Sequence, residues 1–267
     1  MSPAYPVALL GVPWDRHSSH ARGPALGPAA IRAALLSQAG NAFNVRGQDI
    51  RASGVMIDVG DVVFGVVADE ADAISGAVAA QLALERPVLS LGGDHAVTYP
   101  VIRAFHDRWP DLTIVHIDAH PDLYDDFEGD PLSHASPFAR IMEQGMANRL
   151  IQIGIRASNP HLDAQAKRFG VETFSPDQFS AAVAALPKGP TYLSIDLDGL
   201  DPAYAPGVNH YEPGGLSTRE MLALIAAIPG PLVGADIVEL APARDHLDMT
   251  AILAAKLVKE LVGKLTP

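Results

Sequence analysis

Three short stretches gather residues able to hold metal ions. "GGDHAV" carries Asp94 and His95, "HIDAHPD" carries Asp118, His120 and Asp122, and "SIDLDGLD" carries Asp196, Asp198 and Asp201. In extended backbone, side chains two residues apart share a face, so Asp118, His120 and Asp122 are expected to converge, as are Asp196 and Asp198. With His95 they make four carboxylates and two imidazoles. That is more negative charge than a one-ion structural site needs, and it suits two divalent ions joined by carboxylates. Such a pair, roughly 3.5–4 Å apart, can share and deprotonate a water. The chain has no cysteine, so thiolate ligation is excluded. The oxygen and nitrogen donor set favours Mn2+, with Co2+, Ni2+ and Fe2+ left open by ligand type.

Each motif taken singly has an ordinary structural explanation, and only their recurrence at successive strand ends points to metal. Asp94 is expected to orient a ligand loop, and Asp201, before Pro202, to start a turn. His116 lies within a strand and is expected to be a core histidine with satisfied nitrogens. Asp125, Asp126, Glu128 and Asp130 are expected to form a solvated loop.

The elements that must position these residues follow from periodicity. Short apolar runs bounded by Gly, Pro or Asp alternate with longer stretches of helical period, the pattern of βαβ units. Strands are expected over 7–11, 55–59, 87–91, 112–118, 150–155, 171–174, 191–196 and 232–238. Helices are expected to start near Pro28, Asp69, Tyr99, Ser136, Asn159, Pro176 and Thr218, with a last one over 248–262. This predicts one domain over residues 1–267, a three-layer αβα sandwich with a mostly parallel sheet of about eight strands. In open sheets of this kind, ligands bind beyond the carboxyl ends of the strands, where the three acidic stretches fall. A fourth run, "LVGADIVEL", ends in Glu239.

Composition narrows the partners. Nineteen Lys and Arg against thirty-one Asp and Glu give a formal charge of −12, which argues against nucleic acid and anionic membrane surfaces. A small cationic molecule fits better. The apolar content of 48% is ample for a buried core. "MSPAYPVALLGVPWD" has neither a signal-peptide pattern nor a transit-peptide composition, so a cytoplasmic location is expected.

Taken together, "GGDHAVTYP", "DAHPDLYD" and "SIDLDGLDPAYAPG" resemble the three signature motifs of the ureohydrolase family of arginases and agmatinases. The resemblance covers nearly the whole chain and is strongest toward the plant-type branch, from "SSHARGPALGPAAIR" through "DLYDDFEGDPLSHASPFARIME" to "APGVNHYEPGGLS". It implies an arginase-like fold and two Mn2+ per subunit, one site completed by His95 and Asp122, the other by His120 and Asp198, with Asp118 and Asp196 bridging. It further implies that His134 shuttles protons at the mouth and that Glu239 meets the substrate's guanidinium; the chemistry of the pair makes that contact charge-assisted and leaves bidentate geometry open to it. Asp122 would pass a proton from the attacking hydroxide to the departing nitrogen.

The expected reaction is hydrolysis of a guanidino group to urea and an amine, with L-arginine first, agmatine close behind, and another guanidino acid or amine as a further alternative. For the distal end of the substrate, Asn159 in "IGIRASNP" and Asn209 and His210 in "GVNHYEPGG" are the candidate contacts. The family resemblance implies a homo-trimer or homo-hexamer, and the amphipathic terminal stretch could pack between subunits or cover its own sheet. A binuclear phosphoesterase is disfavoured, since the Gly-Asn-His ligand pattern is absent. A catalytically silent metal-binding scaffold is the outside alternative, against which all six ligand positions are present.

Overall fold

Apolar runs become central strands here because both faces of the sheet are covered by helices, so no residue of β1, β3, β4 or β7 can afford to face water. The computed structural model describes residues 5–65 and 69–266. Its strands are β1 (Val7–Val12), β2 (Met56–Asp61), β3 (Val88–Gly92), β4 (Thr113–Ile117), β5 (Arg149–Ile153), β6 (Glu172–Phe174), β7 (Thr191–Asp196) and β8 (Leu232–Val238). The helices are α1 (Gly27–Leu36), α2 (Glu70–Ala83), α3 (Thr98–His106), α4 (Pro137–Glu143), α5 (Pro160–Phe169), α6 (Phe179–Ala185), α7 (Thr218–Ala227) and α8 (Met249–Leu265). The strands form one eight-stranded sheet in the order β2-β1-β3-β8-β7-β4-β5-β6. A mostly parallel sheet was expected; among the described residues every pairing of these strands is parallel.

Local signals start and stop the helices where the sequence places them. Asn159 accepts from the backbone of His161 and Leu162, Pro160 occupies the first turn of α5, and Gly170 ends it in the left-handed region at φ 65°. Ser217 and Glu220 form a capping box at α7. The stretch starting at Pro176 divides into a short 3-10 turn and then α6.

Strand side chains alternate between two cores. Val115, Ile117, Leu193 and Ile195 pack with α1, α6, α7 and α8, whereas Ile114, Tyr192 and Val88 pack with α2, α3, α4 and α5. Each Leu or Ile so buried contributes about 1.5–3 kcal/mol before conformational entropy is subtracted. The terminal helix α8 packs on α1, α7 and β8 and so covers its own sheet. The sheet edges are treated differently from the centre: β6 is three residues long, and β2 exposes Asp58 and Asp61, both engaged by Arg32. Short or charged edges discourage further strand pairing.

One feature of the centre is polar. Ser90, Asp236, Ser194, His116 and Gln152 pair in register across β3, β8, β7, β4 and β5, and all are fully buried. This row lies just below the carboxyl ends of the strands.

Candidate metal centre

Four adjacent strands, β3, β8, β7 and β4, deliver the functional side chains to one edge of the sheet. The convergence expected from alternation along extended chain arises in another way. β4 ends at Ile117, so Asp118, His120 and Asp122 lie beyond it, and Asp122 has a φ of 49°. Asp196 ends β7, and Asp198 sits in the 3-10 turn over Leu197–Gly199. His95 opens the corresponding turn after β3, with Asp94 as its cap. Tight turns therefore aim these groups, and they need close backbone approach. A Cβ on Gly154 or on Gly199 would come within 2.9 Å of the backbone of Asp118.

Two histidine nitrogens mark two neighbouring donor groups. Nδ1 of His95 lies 3.1 Å from Asp118 Oδ2, 3.0 Å from Asp122 Oδ2 and 3.2 Å from Asp196 Oδ2. Nδ1 of His120 lies 3.3 Å from Asp118 Oδ1 and 3.2 Å from Asp198 Oδ2. Asp118 thus turns one oxygen to each histidine, the arrangement of a bridging carboxylate. Asp196 directs Oδ2 to the His95 group, while its Oδ1 accepts from the Asp198 backbone at 2.8 Å.

The chemistry of this donor set fits metal ions. Nε2 of His95 faces Ser194 Oγ at 3.0 Å, and that hydroxyl donates to Asp236 Oδ1 at 2.7 Å. The Ser194 oxygen is left to accept from Nε2–H, which turns the Nδ1 lone pair toward three carboxylate oxygens. His95 Nδ1 is buried without a hydrogen-bond partner. A lone pair facing anions repels unless a cation lies between them. Burial, then the charges of Asp198 and Asp118, push Asp196 well above the ordinary carboxylate range, and burial with Asp118 pushes Asp198 up to about 6. Burial alone would lower His120, but Asp198 and Asp118 outweigh it and push it up to about 12. Protons and metal ions therefore compete for the same atoms.

The polar row beneath the cluster fixes it. Asp236 accepts from Thr98, Tyr192 and Ser194 at 2.7–3.0 Å, which satisfies a fully buried carboxylate. His116 is held as a core histidine: Gln152 Nε2 lies 3.0 Å from its Nδ1, its Nε2 lies 2.7 Å from Asp118 Oδ2, and its ring stacks on Phe138. Burial lowers its pKa, so the neutral ring donates from Nε2 to Asp118. Asp94, also fully buried, accepts from His17 N and Ser18 Oγ as well as Ala96 N, and so ties the mouth loop to the ligand loop. Asp201 accepts from the backbone of Ala203, Gly214 and Gly215, a turn role.

Above the cluster opens a cavity of about 220 Å3 whose floor includes His120, Asp122, Asp196 and Asp198. Glu239 and His134 share one wall. Glu239, at a φ of 67°, places Oε1 2.9 Å from His134 Nδ1 and accepts there from His95 N at 3.0 Å. Both contacts fall on Oε1, which leaves Oε2 without a hydrogen-bond partner among the described residues. Burial would raise Glu239, but the hydrogen bond and charge of His134 hold it below the ordinary range. Burial likewise would lower His134, yet Glu239 pushes it up to about 9. Backbone strain at Asp122 and Glu239 falls on two functional positions, as such strain often does.

The three distal candidates separate. His210 lines the cavity and lies 5.3 Å from the ring of His134 and 5.9 Å from that of His120. Asn159 also lines it, but its Oδ1 caps α5 and its Nδ2 donates to Tyr124 at 2.6 Å, so it offers no free acceptor for an α-amino group. Asn209 is corrected: it is buried off the cavity wall and donates to Ala21 O at 2.8 Å, fastening its loop to the mouth. Sequence reasoning missed Ser19, whose hydroxyl lies 2.8 Å from His134 Nε2. It missed Ser194 and Asp236, although polar residues inside wholly buried strands signalled them. It also missed Arg156, whose guanidinium donates to the carbonyls of Gly154, Asp198, Leu200 and Glu212 and pins the ligand turn.

Fold and donor set together describe a parallel α/β protein whose buried His and Asp cluster suits a binuclear metal site. The model of the Arginase family matches residues 5–263. Arginase 1, mitochondrial, of Arabidopsis thaliana is 45% identical over 97% of this chain and 81% of its own length. An agmatinase of Bacillus cereus is 35% identical over 96% of this chain and 90% of its own. The solved arginase of Medicago truncatula superposes with a TM-score of 0.91 at 41% identity, covering 100% of this chain and 89% of that one. The chain belongs to the arginase family, and it is an amidinohydrolase of the arginase and agmatinase type. No helix among the described residues is long and apolar enough to cross a membrane.

Proposed function

We propose that this chain hydrolyses L-arginine to L-ornithine and urea, using two Mn2+ held by His95, Asp118, His120, Asp122, Asp196 and Asp198. The observation that carries the reaction type is Asp118, whose two oxygens face the nitrogens of two different histidines. When bound, two divalent ions would supply a water acidified toward neutral pH and would offset the carboxylate charge. The remaining work falls to this chain's own side chains.

A guanidinium is cationic and a poor electrophile, so it must be oriented and its departing amine protonated. Glu239 Oε2 accepts from the guanidinium and holds the carbon above the cluster. Asp122 accepts a hydrogen bond from the attacking water and hands the proton to the departing nitrogen. His134 carries a proton while Glu239 is free. When the guanidinium reaches Glu239 that hold weakens, and His134 exchanges its proton toward Ser19 and solvent. The products are urea and a protonated amine.

Arginine is preferred because the plant arginase is the more similar of the two curated relatives described above. Agmatine is the second reading, favoured by one observation: among the described residues the cavity lining contains neither Lys nor Arg to hold a carboxylate. We further propose one domain over the whole chain, a homo-trimer or homo-hexamer, and a cytoplasmic location. The names of the plant relatives place them in mitochondria, so fractionation tests the last of these. A urea-release assay on arginine, agmatine and 4-guanidinobutyrate, with and without Mn2+, tests the function. Metal-dependent release from arginine supports it; release from agmatine alone selects the second reading, and no release from any of the three overturns both.

A further inference from the structure

β5 gives the site no ligand candidate, yet it carries one polar side chain into the sheet. Gln152 is fully buried between Ile151 and Ile153 and pairs in register with His116 of β4. Its amide nitrogen lies 2.6 Å from Pro121 O and 3.0 Å from His116 Nδ1. A carbonyl oxygen can only accept, so the group that meets Pro121 O is the NH2, and its second hydrogen is left for Nδ1. Among the described residues the other end of the amide, Oε1, is buried without a hydrogen-bond partner. An unpaired buried oxygen destabilises the fold, and an apolar side chain at this position would avoid it. What the position gains from a polar residue must lie with its nitrogen.

The two donations act on two different supports of the cluster. The bond to Nδ1 makes that nitrogen an acceptor, so His116 carries its proton on Nε2 and donates it to Asp118 Oδ2 at 2.7 Å. That oxygen is the one facing His95, while Oδ1 of the same carboxylate faces the His120 ring and accepts from His120 N at 2.6 Å. A neutral N–H orients the carboxylate without taking its charge, which leaves Asp118 an anionic ligand. The His116 ring is itself set by stacking on Phe138, with centroids 3.9 Å apart. The bond to Pro121 O acts on the turn instead. Pro121 stands between His120 and Asp122, and Asp122 holds the left-handed conformation at a φ of 49°. A residue other than glycine stays there only where its surroundings fix it.

We propose that Gln152 is a positioning residue of the metal centre: one amide group, donating in two directions, fixes the shared carboxylate of Asp118 through His116 and the turn bearing Asp122 through Pro121. Gln152 does not line the cavity, so its effect falls on metal binding and not on substrate contacts. The proposal rests on the two-ion reading of the site given above.

The test is competition of a chelator for Mn2+ in the unaltered protein, Gln152→Met, His116→Phe and the double variant, each first shown to be folded by its thermal unfolding without metal. Met keeps the length of the side chain and removes both donors. The proposal predicts that Gln152→Met lowers Mn2+ affinity by about 10–100-fold, the effect of losing an outer partner of a ligand. Urea release at limiting Mn2+ falls with it and recovers in excess Mn2+. Because part of the effect passes through His116, the double variant loses less than the product of the two single losses. Gln152→Glu, which keeps the shape and replaces both donors by acceptors, is measured beside it and is predicted to lose affinity as well. Affinity within about twofold of the unaltered protein in either Gln152 variant, or losses that simply multiply in the double variant, would overturn the proposal and leave the two-ion reading standing. An unaltered protein that binds no Mn2+ overturns both together.

Discussion

The segment from Thr113 to Asp130 sets carboxylates in two unlike surroundings. Asp118 and Asp122 are buried at the carboxyl edge of the sheet and face imidazole nitrogens. Asp125, Asp126, Glu128 and Asp130, a few residues on, are open to solvent or nearly so. They serve local geometry: Asp126 accepts from Gly129 N at 2.7 Å, Asp130 from Leu132 N at 2.9 Å, and Asp125 and Asp130 pair with His161 and His17. Water screens the charges of the second group from one another. The first group has lost that screening, and its charges require a cation or a proton. What separates them is where the chain turns after β4, and residue type has no part in it.

That contrast can be broken from either side. Asp118→Asn removes the carboxylate shared by both donor groups, and we expect loss of both ions and a roughly thousandfold or greater fall in activity, beyond the 10–100-fold typical of an outer partner. Metal analysis beside urea release measures this. His134→Ala should leave metal content intact and reduce kcat by about 10–10^4-fold, the range of general acid–base catalysis; unchanged activity would remove its proton role. Ser194→Ala should weaken metal affinity by about 10–100-fold, because His95 loses the hydroxyl that fixes its tautomer. Competition with a chelator reads that out, and an unchanged affinity would mean that the polar row is only structural.

The exposed acids should respond far less. Asp126→Asn should shift unfolding free energy by about 0.5 kcal/mol or less and keep full activity. Glu172 extends the comparison to the sheet edge, where Arg149 donates to it at 2.5 and 2.7 Å and holds its pKa below the ordinary carboxylate range. A depressed carboxylate stabilises the fold above its unfolded pKa, and that contribution disappears as pH falls through the folded value. Solvent screening limits it to a few tenths of a kcal/mol, roughly, so Glu172→Gln should lower Tm slightly at pH 7 and not at all in strong acid.

The sequence made the strand positions, the helix starts and the six ligand types readable, because apolar runs, caps and repeated Asp-x-His or Asp-x-Asp spacings are local. It did not reveal how the ligands converge. Alternation suggested a flat strand face, whereas Asp122 and Asp198 lie in turns that depend on Gly154 and Gly199 admitting the Asp118 backbone. Asn209 and Asn159 look alike as polar loop residues, yet Asn159 is committed locally to capping α5, whereas the Asn209 amide is taken by Ala21, a partner fixed only by tertiary contact. Ser19, Tyr124 and Arg156 meet their partners across 115, 35 and 56 residues of chain, distances over which no spacing rule operates.

The central claim is that the buried acids are a two-ion site and the exposed ones are not. Elemental analysis of active protein, dialysed against Mn2+ and then freed of excess metal, tests it most directly. Two ions per chain in the unaltered protein and in Asp126→Asn, with none in Asp118→Asn, is the predicted result. One ion or fewer per chain in fully active protein would contradict it.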